Sequence, residues 1–69
     1  MLSTGNLRKN HKYRFQNYGE ESLFVVLDFV SETNYVIQLV ESLEIMEFKT
    51  LVDFGLDPNY QLHEIEISI

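Results

Sequence analysis

Residues 11–17, HKYRFQN, alternate one by one: Tyr13 and Phe15 point to one side, Lys12, Arg14 and Gln16 to the other. A period of two is that of a half-buried strand with one wet face. Asn17 to Ser22, NYGEES, supplies a glycine and polar residues for a turn. The next stretch, Leu23 to Val30, has only Asp28 as a polar residue, so no helical face can be scored there. Residue type decides instead. Val25, Val26, Val30, Val36, Ile37 and Val40 are β-branched, and Phe24, Phe29 and Tyr35 also suit a pleated surface. Leu23–Val30 and Tyr35–Val40 are therefore expected to form an antiparallel hairpin about the polar loop SETN, Ser31 to Asn34. Leu23, Val25, Leu27 and Phe29 then share one face of the first strand, and Phe24, Val26, Asp28 and Val30 the other.

Beyond Val40 the pattern is mixed. Ser42 could cap a helix, but the apolar residues of 43–54 scatter round the whole helical circle. The spacing predicts a strand from about Leu43 to Phe48 and one or two helical turns near Thr50 to Phe54. Thr50 and Asp53 resemble a capping box, and Gly55 and Pro58 are stop signals. Asp57 to Asn59 reads as a turn. The C-terminal YQLHEIEISI reads as a last strand, with Ile65, Ile67 and Ile69 opposite Glu64, Glu66 and Ser68.

The expected fold is mainly β: five strands forming a small barrel or a strongly curved antiparallel sheet, with one short helix before the last strand. Curling hides strand edges that a small flat sheet would expose. The element order is similar to that of SH3-like barrels, a likeness of fold carried by no sequence motif. It implies that the first and last strands pair, so that outward Lys12 and Arg14 face outward Glu64 and Glu66, at about 0.2–1 kcal/mol per pair. The alternative is an α+β arrangement with a longer helix at 42–54 across the sheet.

The 69 residues suffice for one domain, 1–69, that buries only about 60% of its unfolded surface, so its core must be dense or its subunits must associate. There is no Cys, which excludes disulfides and thiolate zinc sites. The N-terminal residues reach Arg8 and Lys9 without an apolar run, and the longest such run is Leu23 to Leu27; neither a signal peptide nor a membrane span is expected, and a cytoplasmic setting is. Charge is segregated. The first 18 residues hold four cations and no acid, a charge of +4; the remaining 51 hold one cation and eleven acids, a charge of −10, giving −6 in all.

Candidate chemistry is sparse. His11 and His63, with Glu64 or Glu66, could meet at a metal if the outer strands pair, although their spacing matches no known site. DFG at Asp53 to Gly55 matches the magnesium-binding tripeptide of protein kinases in letters alone. No serine or threonine has a base in a recognisable context, and Glu41, Glu44 and Glu47 read as a solvated face rather than an acid–base pair. No catalytic, cofactor or metal site is therefore expected.

Binding remains. Phe24, Val26 and Val30 on the second strand, and Val36 and Val40 on the third, exceed what one interior should take, and exposed apolar surface of this kind marks interfaces. With Glu41 and Glu44 they form the expected protein-binding surface, for a basic protein partner or for a second copy of the chain. The rival reading is a single-stranded nucleic-acid-binding barrel. It rests on LRKNHKYRFQNY, where Arg8, Lys9, Lys12 and Arg14 interleave with aromatics, Tyr18 among them. It ranks lower because the net charge repels a polyanion. A third reading makes the acidic surface an inhibitor of a basic or nucleic-acid-binding protein.

Overall fold

The computed structural model describes residues 3–67, with side chains through Ile65. The Ser68–Ile69 end of the expected last strand and the side chain of Glu66 lie outside the described residues. Five antiparallel strands form one sheet: β1 (His11–Asn17), β2 (Glu20–Ser31), β3 (Asn34–Leu39), β4 (Ile45–Glu47) and β5 (Gln61–Ile67), in the order β4-β3-β2-β1-β5. The first and last strands are neighbours, as the SH3-like order implies, but β4 and β5 remain separate edges. The molecule is a strongly curved sheet rather than a closed barrel. The helix of the α+β alternative is absent: α1 (Phe48–Leu51) has four residues.

The β1–β2 turn is tighter than expected. Asn17 pairs with Glu20, leaving only Tyr18 and Gly19 between the strands, with φ of 50° and 79°. Two successive positive φ values define the type I′ turn, whose twist matches that of the strands it joins. This turn sets the register Tyr13↔Phe24 and Phe15↔Ser22 and so puts Phe24 on the same face as Tyr13 and Phe15. The core is accordingly Leu7, Tyr13, Phe15, Phe24, Val26, Tyr35, Ile37, Phe48 and Leu62. Its rings pack around Phe48, which meets Phe15 at 5.4 Å and Tyr35 at 5.9 Å edge to face and Phe24 at 5.6 Å in a tilted arrangement, between centroids.

Two irregularities alter the expected faces. Val26 pairs with Ile37 but Asp28 with Val36, so Leu27 is an extra residue in β2 and the phase changes after it. Phe29 thereby turns towards Tyr35, at 5.9 Å between rings, while Asp28 points outward. On β5, Glu66 pairs with Lys12 and Glu64 with Tyr13, which makes Ile65 the bulged residue. The regular alternation expected of Ile65 and Ile67 is broken there.

The loop into β3 also shortens. Ser31 pairs with Asn34, so the turn is Glu32–Thr33 rather than the four residues SETN, and a register shift between Phe29 and Ser31 lies beside it. The helix starts earlier than Thr50, because Phe48 must enter the core. The capping box expected of Thr50 and Asp53 does not form; Asn34 caps this helix from β3, its Oδ1 accepting the Lys49 N–H at 3.0 Å. Gly55, at φ 107°, ends the following turn as its sequence position suggested.

Residues 3–10 lie over the open side of the core. The Tyr35 hydroxyl donates to the Thr4 carbonyl at 2.7 Å and accepts the Leu7 N–H at 3.4 Å, and the Tyr13 hydroxyl accepts the Arg8 N–H at 2.8 Å. Leu7, held between these anchors, is 5% exposed.

Candidate protein-docking groove

Asn17, the last residue of β1, ties the hairpin tip to the loop after α1. Its amide nitrogen donates to the Gly55 carbonyl at 3.1 Å, and its side-chain oxygen accepts the Asp57 N–H at 2.7 Å. These two bonds hold residues 55–57 against Tyr18. A Cβ placed on Gly55 would lie 3.8 Å from the Tyr18 hydroxyl. Between the tip and the helix runs a groove of ≈ 480 Å³ lined by Asn17, Tyr18, Glu20, Thr50, Leu51 and Phe54.

Two aromatic rings stand open at this groove: Tyr18 is 57% exposed and Phe54 is 93% exposed. Tyr18 occupies a left-handed backbone position at which Asn, Asp or Gly is favoured in a type I′ turn, and a bulky side chain there is strained. Glu20, exposed, brings negative charge to the lining of the same groove. The arrangement offers apolar anchorage beside a carboxylate, with no nucleophile paired to a base.

The residues expected to bind a protein are divided by the fold. Phe24 and Val26 have no exposure and belong to the core, which corrects their expected outward placement. The type I′ turn fixes that parity. Val30 is 53% exposed, Val36 and Val40 are half-buried, and Glu41 and Glu44 are exposed around the β3–β4 connection. Leu23 and Val25, on the opposite face of β2 from Phe24 and Val26, are half-buried at the outer surface.

The cation–aromatic stretch is likewise split. Tyr13 and Phe15 are core, whereas Arg14 is exposed and Lys12 half-buried on the outer face of β1; Arg8 and Lys9 are exposed on the N-terminal segment. Tyr18 lies at the far end of β1 from Arg8 and Lys9, next to Glu20. Arg14 Nε has Glu21 Oε1 at 3.8 Å rather than Glu64 across the strand pair. Opposite Arg14 on β5 stands His63, and Glu64 shares the inner face with Tyr13 because it precedes the bulge. Lys12 keeps Glu66 as its register partner.

The histidines do not meet. His11 Nδ1 lies 2.9 Å from Glu64 Oε1, while His63, on the other face of the sheet, has Gln61 Oε1 at 3.5 Å from Nε2. Among the described residues no group of three His, Asp or Glu side chains could hold a metal ion. The Tyr13 hydroxyl donates to Glu64 at 3.3 Å. Burial raises the Tyr13 pKa above the ordinary 10.0; the Arg8 N–H pulls it down and the Glu64 charge adds to the rise.

Protein-family models, curated proteins and solved structures yield no match to this chain. The geometry alone carries the functional argument.

The sequence reading gave no binding role to Asn17, Leu51 and Phe54. A signal was present in the dipeptide Tyr-Gly. Read as a two-residue hairpin turn, it places an aromatic where the backbone disfavours one.

Proposed function

We propose that this protein is a non-catalytic interaction module that takes a basic segment of a partner protein, bearing one large apolar side chain, in the groove between Tyr18 and Phe54. The observation that carries the reading is Tyr18, an aromatic kept at positive φ and left open to solvent beside a second open ring. Backbone strain of this kind persists where the residue serves something other than stability. Tyr and Phe lose little side-chain freedom on contact and supply large apolar area, so a pair of them suits an anchor site. Glu20 selects positive charge in the partner and, with the net charge of −6, speeds its encounter. The two bonds of Asn17 hold both walls before binding, which lowers the ordering cost of association.

The test is a titration of the isotopically labelled protein with short Lys- and Arg-rich peptides, each carrying one Leu, Phe or Trp, alongside acidic peptides of the same length. Chemical-shift changes are expected at Asn17, Tyr18, Glu20, Leu51 and Phe54 with the basic set alone. Phe54→Ser should abolish them while leaving the melting curve in place. Absence of binding, or shifts indifferent to Phe54→Ser, overturns the reading. Shifts at Lys12 and Arg14 on adding a single-stranded oligonucleotide would favour the nucleic-acid reading instead.

A further inference from the structure

Residues 3–8 are held to the body of the protein by side-chain hydroxyls. The Tyr35 hydroxyl donates to the Thr4 carbonyl and accepts the Leu7 N–H, and the Tyr13 hydroxyl accepts the Arg8 N–H. Leu7 is the buried side chain of this segment, while Ser3, Gly5, Asn6 and Arg8 are exposed. One buried leucine and these hydrogen bonds stand against the conformational entropy of ordering the whole segment, and the opposing terms are of comparable size. A segment with so few buried contacts opens at a lower free energy than the sheet beneath it.

The junction with β1 is built for such opening. The His11 N–H donates to the Arg8 carbonyl at 3.3 Å, closing a turn about Lys9 and Asn10, both exposed, with Asn10 at φ 68°. Asparagine tolerates that left-handed position. The Asn10 N–H donates to the Val26 carbonyl at 2.7 Å, which fixes the far side of the turn to β2. Rotation about Lys9 can therefore swing residues 3–8 while β1 keeps its place. Across from Gly5 and Leu7 stands the β2–β3 tip, and between them runs a groove of ≈ 500 Å³ bordered also by Phe29, Thr33 and Tyr35. Phe29, 54% exposed, lies 5.9 Å from the Tyr35 ring.

We propose that residues 3–8 are a hinged strap that opens about Lys9 and Asn10 with the sheet intact, and that its seat takes in exchange an extended segment of another chain carrying one leucine. The strap itself displays the chemistry the seat recognises: a leucine side chain, the N–H of that leucine and of the residue after it, and a carbonyl three residues before it. Closed, the strap is an internal competitor for the site. The seat lies where β2 ends and the Tyr18–Phe54 groove where β2 begins, so the strap stands independently of what binds in that groove.

The chain has no cysteine, so an introduced disulfide can lock the strap. A Cβ on Gly5 would lie 4.0 Å from Thr33 Cγ2, and Gly5 has no left-handed φ, which makes Gly5→Cys with Thr33→Cys a pair that can bridge. The probe is the capped hexapeptide Ser-Thr-Gly-Asn-Leu-Arg, the sequence of residues 3–8, titrated into the isotopically labelled full chain. It lacks the effective concentration of the tethered strap and is used up to the millimolar range. In the reduced double variant the Leu7 and Arg8 amides should exchange at least about tenfold faster than those of Val26 and Ile37, and the peptide should shift Phe29, Thr33 and Tyr35. Oxidation should slow the two strap amides and abolish binding. Leu7→Ser, which needs no disulfide, removes the internal competitor and should bind the peptide at least about tenfold more tightly than the wild type. Strap amides as slow as those of the sheet, equal binding to the oxidised and reduced forms, or a Leu7→Ser variant that binds no better than its parent would each overturn the proposal.

Discussion

The side-chain oxygen of Asn34 accepts the backbone N–H of Lys49 at 3.0 Å, so a residue on β3 satisfies an otherwise unpaired donor at the start of α1. The same oxygen accepts the Tyr35 N–H at 3.0 Å, and the Asn34 amide donates to Glu47 Oε1 at 2.7 Å. Asn34 is the buried polar residue among the described residues, at 9% exposure. Three bonds from one side chain join β3, β4 and α1, a helix of four residues whose other anchor is Phe48 in the core.

Replacing Asn34 by Ala should therefore cost about 2–3 kcal/mol, since it leaves the Lys49 donor unpaired in a partly buried place. Urea denaturation checks the figure. A loss below about 0.5 kcal/mol would show that water replaces the side chain without difficulty.

Tyr35→Phe removes the hydroxyl that holds Thr4 and Leu7 but keeps the ring among its neighbours. The expected loss is about 1–2 kcal/mol. Amide exchange should rise at residues 4–8 before it rises in β1 and β2. Uniformly faster exchange would mean that the N-terminal segment is not a separable layer.

Gly19 tests the hairpin. Its φ of 79° disfavours any L-residue, and beyond its two chain neighbours no residue comes within 4 Å of where its Cβ would be. Gly19→Ala should cost about 1 kcal/mol through the backbone alone, and D-Ala, introduced by synthesis, should cost nothing or stabilise. Tyr18→Asn should raise the melting temperature, by about 0.5–1 kcal/mol in stability, while weakening peptide binding. A Tyr18 variant that is neither more stable nor binding-deficient would remove the reason given for the aromatic.

Alkaline pH should act through Tyr13. Its pKa is raised in the folded protein, chiefly by burial, so the native state holds the phenolic proton more tightly than the unfolded chain does. Stability from this group is fully present below the ordinary value of 10.0 and is lost as pH rises from there through the folded pKa. Tyr13→Phe should flatten that part of the stability curve. Unchanged alkaline unfolding in the variant would place the sensitivity elsewhere.

Most of the strands were legible from local pattern. β1 matches its alternation residue for residue, and the β-branched content of 23–40 sufficed to choose strand over helix without knowledge of partners. The glycine after the helical turn and the Asp-Pro-Asn turn also stand where local chemistry put them, with Asp57 accepting the Asn59 N–H at 2.9 Å. The candidate groove was much less legible, because it joins a hairpin tip to a loop some 35 residues later. Asn17 bonds Gly55 and Asp57 at separations of 38 and 40 residues, which no window on the sequence contains.

The inner and outer faces of β2 show where the boundary lies. Both faces are apolar, so alternation alone left Leu23 and Val25 equivalent to Phe24 and Val26. Pairing with β1 through Tyr18 and Gly19 broke the tie in favour of Phe24 and Val26, since a register change of one residue exchanges every side chain between core and solvent. The bulges at Leu27 and Ile65 then reset the phase partway along β2 and β5, turning Phe29 towards Tyr35 and setting Glu64 beside Tyr13 instead of Arg14. The sequence by itself determined a small, strand-rich, acidic domain with its cations on the first strand. Only the tertiary structure decided which apolar residues are core, because facing is a property of strand pairs, and a single strand cannot specify its own neighbour.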